Sequence, residues 1–250
     1  MKRWLLPTLV FVALIGAWQV AATSGALADT LHLESFLVPS PSEIAKSLWE
    51  NRSLLAENAW VTLKEVLLGF GCALVAGIAF AVALHLSAML RRAFYPLIIA
   101  SQTIPIIVIA PILVVWFGYG IGPKLAIVAL ICFFPITVNA LDGLRSVDPD
   151  AIKLMRTLDA SRRQTFLRIE APTALPYAFS GAKIAVAVAV IGAVFGEWAG
   201  SDSGLGHLML QDNAQLETAR LFASVVVLAA MAIALFALLA LAERRIVTWR

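Results

Sequence analysis

The chain has 250 residues, of which 61% are hydrophobic and only 14% are charged, and its mean hydropathy is +0.89. Soluble domains contain roughly half apolar and about a quarter charged residues, so this composition excludes an ordinary soluble domain and predicts an integral membrane protein. The formal net charge of +3 is small. In a membrane protein the placement of basic residues carries more information than their sum, because they accumulate in cytoplasmic loops.

The first predicted membrane span covers Trp4 to Ala22 and approaches the roughly 20 residues that a helix needs to cross a bilayer. A cleaved signal peptide is the alternative, because the Ala-Leu-Ala sequence at 26–28 fits a small-x-small cleavage site. The apolar run is longer than in a usual signal peptide, and Trp4 and Trp18 lie where interfacial anchors are expected. These features favour a membrane span.

The rest of the chain alternates between polar intervals and long apolar runs. An amphipathic helix with an N-terminal cap is predicted at 42–49, after Pro39 and Pro41. Membrane spans are predicted at Val66–Leu86, Phe94–Phe117, Leu125–Leu141, Ile184–Ala199 and Leu221–Leu241. The run at 94–117 is taken as one span although three prolines interrupt it. The expected fold class is therefore all-α: a polytopic membrane protein with six transmembrane helices in a single domain over residues 1–250.

The distribution of basic residues predicts the orientation of these spans. With both termini inside, 14 of the 19 Lys and Arg residues, including Lys2, Arg3 and Arg250, fall on inner segments and 5 fall on outer segments. Tryptophans lie at the predicted boundaries of the spans, where their rings favour the interface. We therefore expect both termini, and the interval between the fourth and fifth spans, to lie in the cytoplasm.

The interval from Asp148 to Lys183, between the fourth and fifth spans, is the longest polar and basic stretch of the chain. Pro149 fits the first position of a short helix that places Ile152, Met155 and Leu158 at helical spacing. Helices of this kind in a solvated loop indicate that their apolar sides contact a soluble partner protein.

A second short helix is predicted in the same interval. Asp159 and Ser161 supply the turn or the N-cap before it, and Phe166, Leu167 and Ile169 are its apolar residues. The prolines at 172 and 176 are expected to end this helix and to change the direction of the chain before the next span.

The run Arg156-Thr-Leu-Asp-Ala-Ser161, followed by Glu170-Ala-Pro172, resembles the cytoplasmic loop of permease subunits of bacterial ABC importers. That family's pattern is roughly E-A-A-x3-G-x9-I-x-L-P, and Ile169 and Pro172 stand at its isoleucine and proline. The sequence at 153–155 is Lys-Leu-Met in place of E-A-A, and Asp159 replaces the glycine. Aspartate tolerates the left-handed conformation better than most residues, so the turn is expected to form.

The resemblance implies that this loop, at about 142–183, docks in a groove of an ATPase subunit and couples ATP binding to movement of the spans. Its apolar side chains are expected to pack on the ATPase. Its arginines are expected to face acidic groups there, with contact to anionic lipid as the alternative. The residues assigned to coupling are Ile152, Met155, Arg156, Thr157, Leu158, Asp159, Ala160, Arg162, Arg163, Phe166, Ile169 and Pro172.

Candidate residues of the translocation pathway are polar, small or kink-forming positions inside spans. Pro105 is expected to free a backbone carbonyl at mid-membrane depth, as at many transport sites. Gly192, Gly196 and Gly200 repeat every four residues, which predicts close packing against a neighbouring helix or a face that meets its own copy across a pathway. A carboxylate in a span is a functional candidate by default. The set is Gln102, Thr103, Pro105, Asn139, Gly192, Gly196, Glu197 and Trp198.

No string in the sequence fits a phosphate loop, and its three histidines are scattered, so neither a catalytic nor a metal site is predicted. The resemblance implies no cofactor in this chain, with ATP bound by two separate ABC ATPase subunits. It also implies a second permease copy (a homodimer), a periplasmic or lipid-anchored solute-binding protein, and a place in the lipid of the bacterial inner membrane. No nucleic-acid partner is expected.

The stretches 192–198 and 204–210 look most similar to permeases for thiamine-pathway pyrimidine precursors or riboflavin. A neutral or cationic heterocycle is the expected solute, because Glu197 and Trp198 suit it better than an anion. Permeases for nitrate, taurine or alkanesulfonates are the alternative within the family. A stand-alone secondary transporter is the alternative from another class, and uptake without any ATPase subunit would favour it.

Overall fold

The computed structural model describes residues 2–249, and it describes side chains at 6–30 and 32–249. The expectations for the side chains of Lys2, Arg3, Trp4 and Arg250 lie outside these residues. The described chain is helical and contains no β-strand. Its helices are α1 (Lys2–Thr23), α2 (Ala26–Leu31), α3 (Pro41–Glu50), α4 (Arg52–Leu86), α5 (Ala88–Ser101), α6 (Ile106–Phe117), α7 (Ile121–Arg145), α8 (Pro149–Thr157), α9 (Arg162–Thr165), α10 (Ala171–Gly200), α11 (Leu205–Gln215) and α12 (Thr218–Ile246). A 3-10 turn lies at Ser35–Leu37 and a π-turn at Phe166–Glu170.

Five helical segments of the described chain are long and apolar enough to cross a membrane, or six if the bent pair α5–α6 is one crossing. They are α1, α4, α7, α12 and the continuous run from α9 to α10. The prediction of an all-α polytopic membrane protein is therefore confirmed. The helices extend beyond the predicted spans, because polar turns at their ends continue the helical hydrogen bonding.

The third predicted span, 94–117, which three prolines interrupt in the sequence, is broken into two helices. α5 ends at Ser101, α6 begins at Ile106, and their axes differ by 102°. Pro105 is the N-cap of α6, with no N–H to donate, and proline also disfavours the helical conformation for the residue before it. With 14 and 12 residues, the two helices are about 21 and 18 Å long, so neither alone crosses a hydrocarbon core of roughly 30 Å.

The sequence predicts that Pro172 and Pro176 end the second loop helix, and this prediction is wrong. Helical structure continues without a break from Arg162 to Gly200. The π-turn immediately before Pro172 explains this continuity, since the N–H of Ala171 donates to the carbonyl of Phe166, five residues back. The wider turn accommodates a residue that lacks an N–H and would otherwise collide with the preceding turn.

The chain divides into two compact units, and the first comprises Met1–Val61 and Ser203–Ala229. In this unit α1 is joined to the start of α3, because the side chain of Gln19 exchanges hydrogen bonds of 2.9 and 3.0 Å with the hydroxyl and the N–H of Ser42. The helix predicted at 42–49 is confirmed as α3, and Ser40 and Glu43 form its capping box.

The second unit comprises Thr62–Asp202 and Ala230–Arg250. Its centre is the close packing of α7 against α10. Small residues allow this approach: a Cβ on Gly181 would lie 2.6 Å from the carbonyl oxygen of Pro135, and one on Gly143 would lie 2.6 Å from the Cβ of Tyr177. The prediction of a single domain over 1–250 stays a prediction.

Candidate functional site

The turn between α8 and α9 has the geometry that its polar residues predict. Asp159 has a φ of 57°, in the left-handed region. Its N–H donates to the carbonyl of Arg156, and the N–H of Ala160 donates to the carbonyl of Met155, each at 3.0 Å. This pair of bonds is a Schellman motif, in which glycine usually holds the left-handed position. The prediction that aspartate preserves this turn is therefore confirmed.

Both loop helices also begin at the residues that the sequence predicts. The side chain of Asp148 accepts a hydrogen bond from the N–H of Asp150 at 2.8 Å, with Pro149 at the first helical position. Ser161 and Gln164 form a reciprocal capping box at the start of α9. Caps of this kind stabilise helix ends by about 1 kcal/mol each, which matters for helices as short as these.

The exposed apolar side chains of the loop differ in part from those predicted. Leu158 is 68% exposed, whereas Ile152, Met155 and Phe166 are half-buried. Leu154 is 60% exposed, and sequence analysis did not single it out. Leu167, an apolar residue predicted on the second loop helix but not assigned to coupling, is 54% exposed. Leu154 and Met155 are adjacent in the sequence, so helical spacing alone does not indicate which of the two lies on the exposed side of α8.

A buried carboxylate lies at the C-terminal end of the loop. Glu170 is 1% exposed, and its Oε1 accepts a 2.8 Å hydrogen bond from Nη1 of Arg162. Its Oε2 lies 3.0 Å from Nε2 of His85, at the last turn of α4. Arg162 was expected to face a partner, but this contact within the chain occupies it. Sequence analysis missed Glu170 and His85 because they are 85 residues apart in the chain.

The other coupling candidates lie on the surface of the same segment or at its edges. Arg156, Thr157 and Arg163 are exposed, and the hydroxyl of Thr157 donates to the carbonyl of Leu154 at 2.7 Å. Ala160, Ile169 and Pro172 are half-buried. The segment therefore presents cations beside exposed leucines.

The break between α5 and α6 gathers three of the pathway candidates. Gln102, Thr103 and Pro105 are all exposed, as is the intervening Ile104. The hydroxyl of Thr103 donates to the carbonyl of Ala100 at 2.8 Å. Non-helical backbone at membrane depth occurs only where it is buried in protein or lines a water-filled cavity. Their assignment to a pathway stays a prediction, and this geometry is compatible with it.

Glu197 is buried in the second unit and is 1% exposed. Its Oε1 accepts a 2.6 Å hydrogen bond from the hydroxyl of Thr62 on α4. Lys124 on α7 and Glu65 on α4 form a second buried pair, with 2.7 Å between Nζ and Oε1. Nζ of Lys124 also donates to the hydroxyl of Ser201, directly after α10, at 2.6 Å. The sequence did not predict this ion pair, because Glu65 and Lys124 are 59 residues apart in the chain.

The glycine repeat of α10 packs against α7 and the turn before it. A Cβ on Gly192 would lie 2.9 Å from Cδ1 of Ile131, and one on Gly196 would lie 3.1 Å from Cα of Lys124. A Cβ on Gly200 would lie 3.0 Å from the ring of Tyr119. The prediction of close packing against a neighbouring helix is confirmed. The pathway role of these glycines stays a prediction, and α7 of the same chain covers this side of them.

The remaining candidates, Asn139 and Trp198, occupy different surroundings. Nδ2 of Asn139 donates to the carbonyl of Pro135 at 2.8 Å, within α7. Trp198 is 39% exposed, and its ring meets that of Phe195 edge-on at 5.7 Å between centroids. The structure therefore brings Gln102, Thr103 and Pro105 together, but it does not place Asn139 or Trp198 in one site with them.

Comparisons with known proteins identify the family of the chain. Residues 73–248 match the family model described as binding-protein-dependent transport system inner membrane component. The chain is 37% identical to the formylaminopyrimidine transport permease protein ThiX of Halalkalibacterium halodurans, over 98% of this chain and 95% of that protein. It is 33% identical to the riboflavin transport system permease protein RibX of Chloroflexus aurantiacus, over 98% and 89% of the two chains.

The fold is also similar to that of a solved transporter. A chain of the MetNI methionine ABC transporter, in an inward-facing conformation, aligns with a TM-score of 0.66 at 21% identity. The alignment covers 80% of this chain and 97% of the other. At this identity the likeness establishes the fold, which is that of ABC importer permeases.

Proposed function

Because the chain belongs to the family of binding-protein-dependent transport system inner membrane components, we propose that it forms the translocation pathway for a small heterocyclic solute in an ATP-driven importer. As a permease subunit of an ABC transporter, it is a multi-pass protein of the inner membrane. The proposed assembly contains two copies of this chain, two ABC ATPase subunits and a solute-binding protein. No cofactor is assigned to the chain itself, since the ATP would be bound by the ATPase subunits.

The observation that carries the coupling role is the exposure of three leucines on the loop. Leu154, Leu158 and Leu167 are each more than half exposed on a segment whose helices are capped and whose turn is fixed by hydrogen bonds. Burying a leucine side chain contributes about 1.5–3 kcal/mol, so these side chains can supply much of the affinity of a docked partner. We call residues 149–170 the coupling segment and assign its exposed leucines to the groove of an ATPase subunit.

Co-purification tests this assignment. The tagged permease is expressed with the candidate ABC ATPase subunits of the same genome, and the ATPase retained in detergent is measured. Leu158→Glu is expected to reduce retention at least about ten-fold, because a charge would enter an apolar contact. Leu33→Glu is the matched control: Leu33 is 45% exposed on a predicted outer segment. Equal retention by the two variants would contradict the coupling role.

The proposed orientation places the coupling segment in the cytoplasm, following the excess of basic residues there. Asp150→Cys and Glu217→Cys, each in a background lacking Cys72 and Cys132, report on the two sides. A membrane-impermeant maleimide applied to intact spheroplasts is expected to label position 217 and not 150. Labelling of position 150 in sealed spheroplasts would indicate the opposite orientation and would contradict the proposed ATPase contact.

The proposed solute is a formylaminopyrimidine or a riboflavin-like heterocycle. The support is the identity to a permease named for formylaminopyrimidine transport and to one named for riboflavin transport, each over nearly the whole chain. Uptake of radiolabelled formylaminopyrimidine, riboflavin and taurine by proteoliposomes carrying the complete system would test it. Uptake of taurine alone would show that the solute is a sulfonate and not a heterocycle, and the permease role would stand.

A further inference from the structure

Within the coupling segment, Glu170 and Arg162 contact each other, and both also contact His85 on α4. Glu170 makes the shorter contact with His85, at 3.0 Å against 3.4 Å for Arg162. The carboxylate of Glu170 is 1% exposed, whereas the side chain of Arg162 is 57% exposed. Taking an ionised carboxylate out of water costs several kcal/mol unless cations or donors compensate it. Arg162 and His85 are therefore the groups that permit Glu170 to be buried.

Arg162, Glu170 and His85 link the coupling segment to the end of α4. Arg162 is the first residue of α9, directly after the turn of the coupling segment. Glu170 lies eight residues later, or about 12 Å of helical rise, so both side chains must extend along the helix to meet. His85 belongs to the last turn of α4, and Ser87 caps α5 immediately after it.

The π-turn explains why this carboxylate points inward. A π-turn contains one residue more than an α-helical turn, and one residue corresponds to about 100° of rotation. The helix that begins at Arg162 presents Leu167 to the outside. Glu170, at the end of the π-turn, is buried, and the turn itself also contacts α7.

On this geometry, and resting on the proposed function, we infer that Glu170 is a positioning residue that transmits movement of the coupling segment to the end of α4. Arg162 and His85 hold it from the two sides. α4 is followed at once by α5 and the bend at 102–105, so this connection leads to the exposed polar positions of the candidate pathway. The segment and α4 would then move as one body when an ATPase subunit changes state.

The test measures coupling rather than stability alone. The complete system in proteoliposomes is assayed for ATP hydrolysed per radiolabelled formylaminopyrimidine imported. Glu170→Gln keeps the shape of the side chain but removes its charge. We expect the ratio of ATP hydrolysed to solute imported to rise by about five-fold, the low end of coupling between sites. Arg162→Lys should retain most of the coupling and Arg162→Ala should not. Glu243→Gln is the matched control, because it removes the pair with Lys183 (2.6 Å) at another place in the same unit.

A distance measurement gives a readout that needs no transported solute. Spin labels at Asp150→Cys and Met89→Cys, in the cysteine-free background, report the spacing between the coupling segment and the start of α5. Double electron–electron resonance should give one narrow distance distribution with and without ATP in the parent complex, and a broadened one in Glu170→Gln. A double variant with His85→Gln should be no worse than the more severe single variant, as expected for one unit.

Two results would separate the proposals. If the parent complex neither binds an ATPase subunit nor hydrolyses ATP, the proposed function fails. If the parent complex is active and Glu170→Gln, His85→Gln and Arg162→Ala all retain its coupling ratio and its narrow distribution, the transmitting role of Glu170 is wrong while the function stands. Failure of Glu170→Gln to assemble leaves the Arg162 and His85 variants to decide the same question.

Discussion

Lys124 and Glu65 form an ion pair in the interior of the second unit, with 2.7 Å between Nζ and Oε1 and side-chain exposures of only 8% and 2%. Each partner comes from a different membrane helix, and the hydroxyl of Ser201 accepts a further hydrogen bond from Lys124. Such a pair fixes the register of its helices, because a displacement of either would leave a charge without compensation.

Breaking this pair should destabilise the protein strongly. Lys124→Met leaves the Glu65 carboxylate buried without its cation, which costs about 3–5 kcal/mol. The double variant Lys124→Met with Glu65→Leu removes both charges and should recover most of that loss. Thermal unfolding in detergent, followed by size-exclusion chromatography, measures both. A double variant less stable than either single one would show that the pair contributes net stability beyond charge compensation.

The packing of α7 on α10 makes a prediction about individual glycines. Gly181→Ala would place a Cβ 2.6 Å from the backbone oxygen of Pro135, and backbone cannot move aside as a side chain can. We expect a loss of about 1–3 kcal/mol in the free energy of unfolding. Gly71→Ala is the control, since nothing lies within 4 Å of a Cβ there and alanine favours the helix by about 1 kcal/mol. Similar effects of the two substitutions would contradict the observed helix contact.

Asp159 offers a test of backbone strain in the coupling segment. Its φ of 57° is a conformation that glycine adopts freely and that costs other residues about 1–2 kcal/mol. Asp159→Gly should therefore preserve or improve the retention of an ATPase subunit. Asp159→Val should reduce it, because a β-branched residue is a poor fit to this region. Retention assays on the two variants, with circular dichroism as the check on folding, decide the matter.

Asp212, in the first unit, predicts a dependence of stability on pH. Burial raises the pKa of its carboxyl above the ordinary value, and the ion pair with Arg220 at 2.7 Å opposes that rise only in part. Because the folded state holds this proton more tightly, its contribution to stability is complete below the ordinary carboxyl pKa and is lost as pH rises through the raised value.

Asp212→Asn should remove this dependence. The unfolding temperature of the parent protein should fall more between mildly acid and neutral pH than that of the variant, when both are measured in the same detergent. Glu57→Gln, at an exposed position of the same unit, controls for a general change in charge. A parallel pH dependence in parent and Asp212→Asn would show that Asp212 does not titrate in this range.

The predictions from sequence succeeded where a local rule determines the structure. Pro149 and Ser161 mark helix starts by their own chemistry, and Asp159 adopts the conformation that short polar side chains tolerate. The long apolar runs identified the membrane-spanning helices, because each must satisfy its own backbone hydrogen bonds in lipid.

The failures involve structure that depends on distant residues or on an unusual turn. Nothing in the sequence near Glu170 indicates His85, and nothing near Lys124 indicates Glu65, since tertiary packing alone brings these pairs together. Proline at 172 ordinarily predicts the end of a helix, and the π-turn that accommodates it leaves no composition signal. Proline at 105, by contrast, breaks its helix completely, because no such turn precedes it.

The π-turn at 166–170 makes the direction that α10 faces depend on the winding of one short stretch. If the same five residues were wound as a regular α-helix, the 30-residue α10 would rotate by about 100° relative to α9, because a π-turn holds one residue more than an α-helical turn. Every glycine of α10 that now touches α7 would turn away from it, while the hydropathy of α10 stayed the same. A sequence alignment does not register winding, so a relative that winds this stretch as an α-helix would align normally although its α10 would face another way.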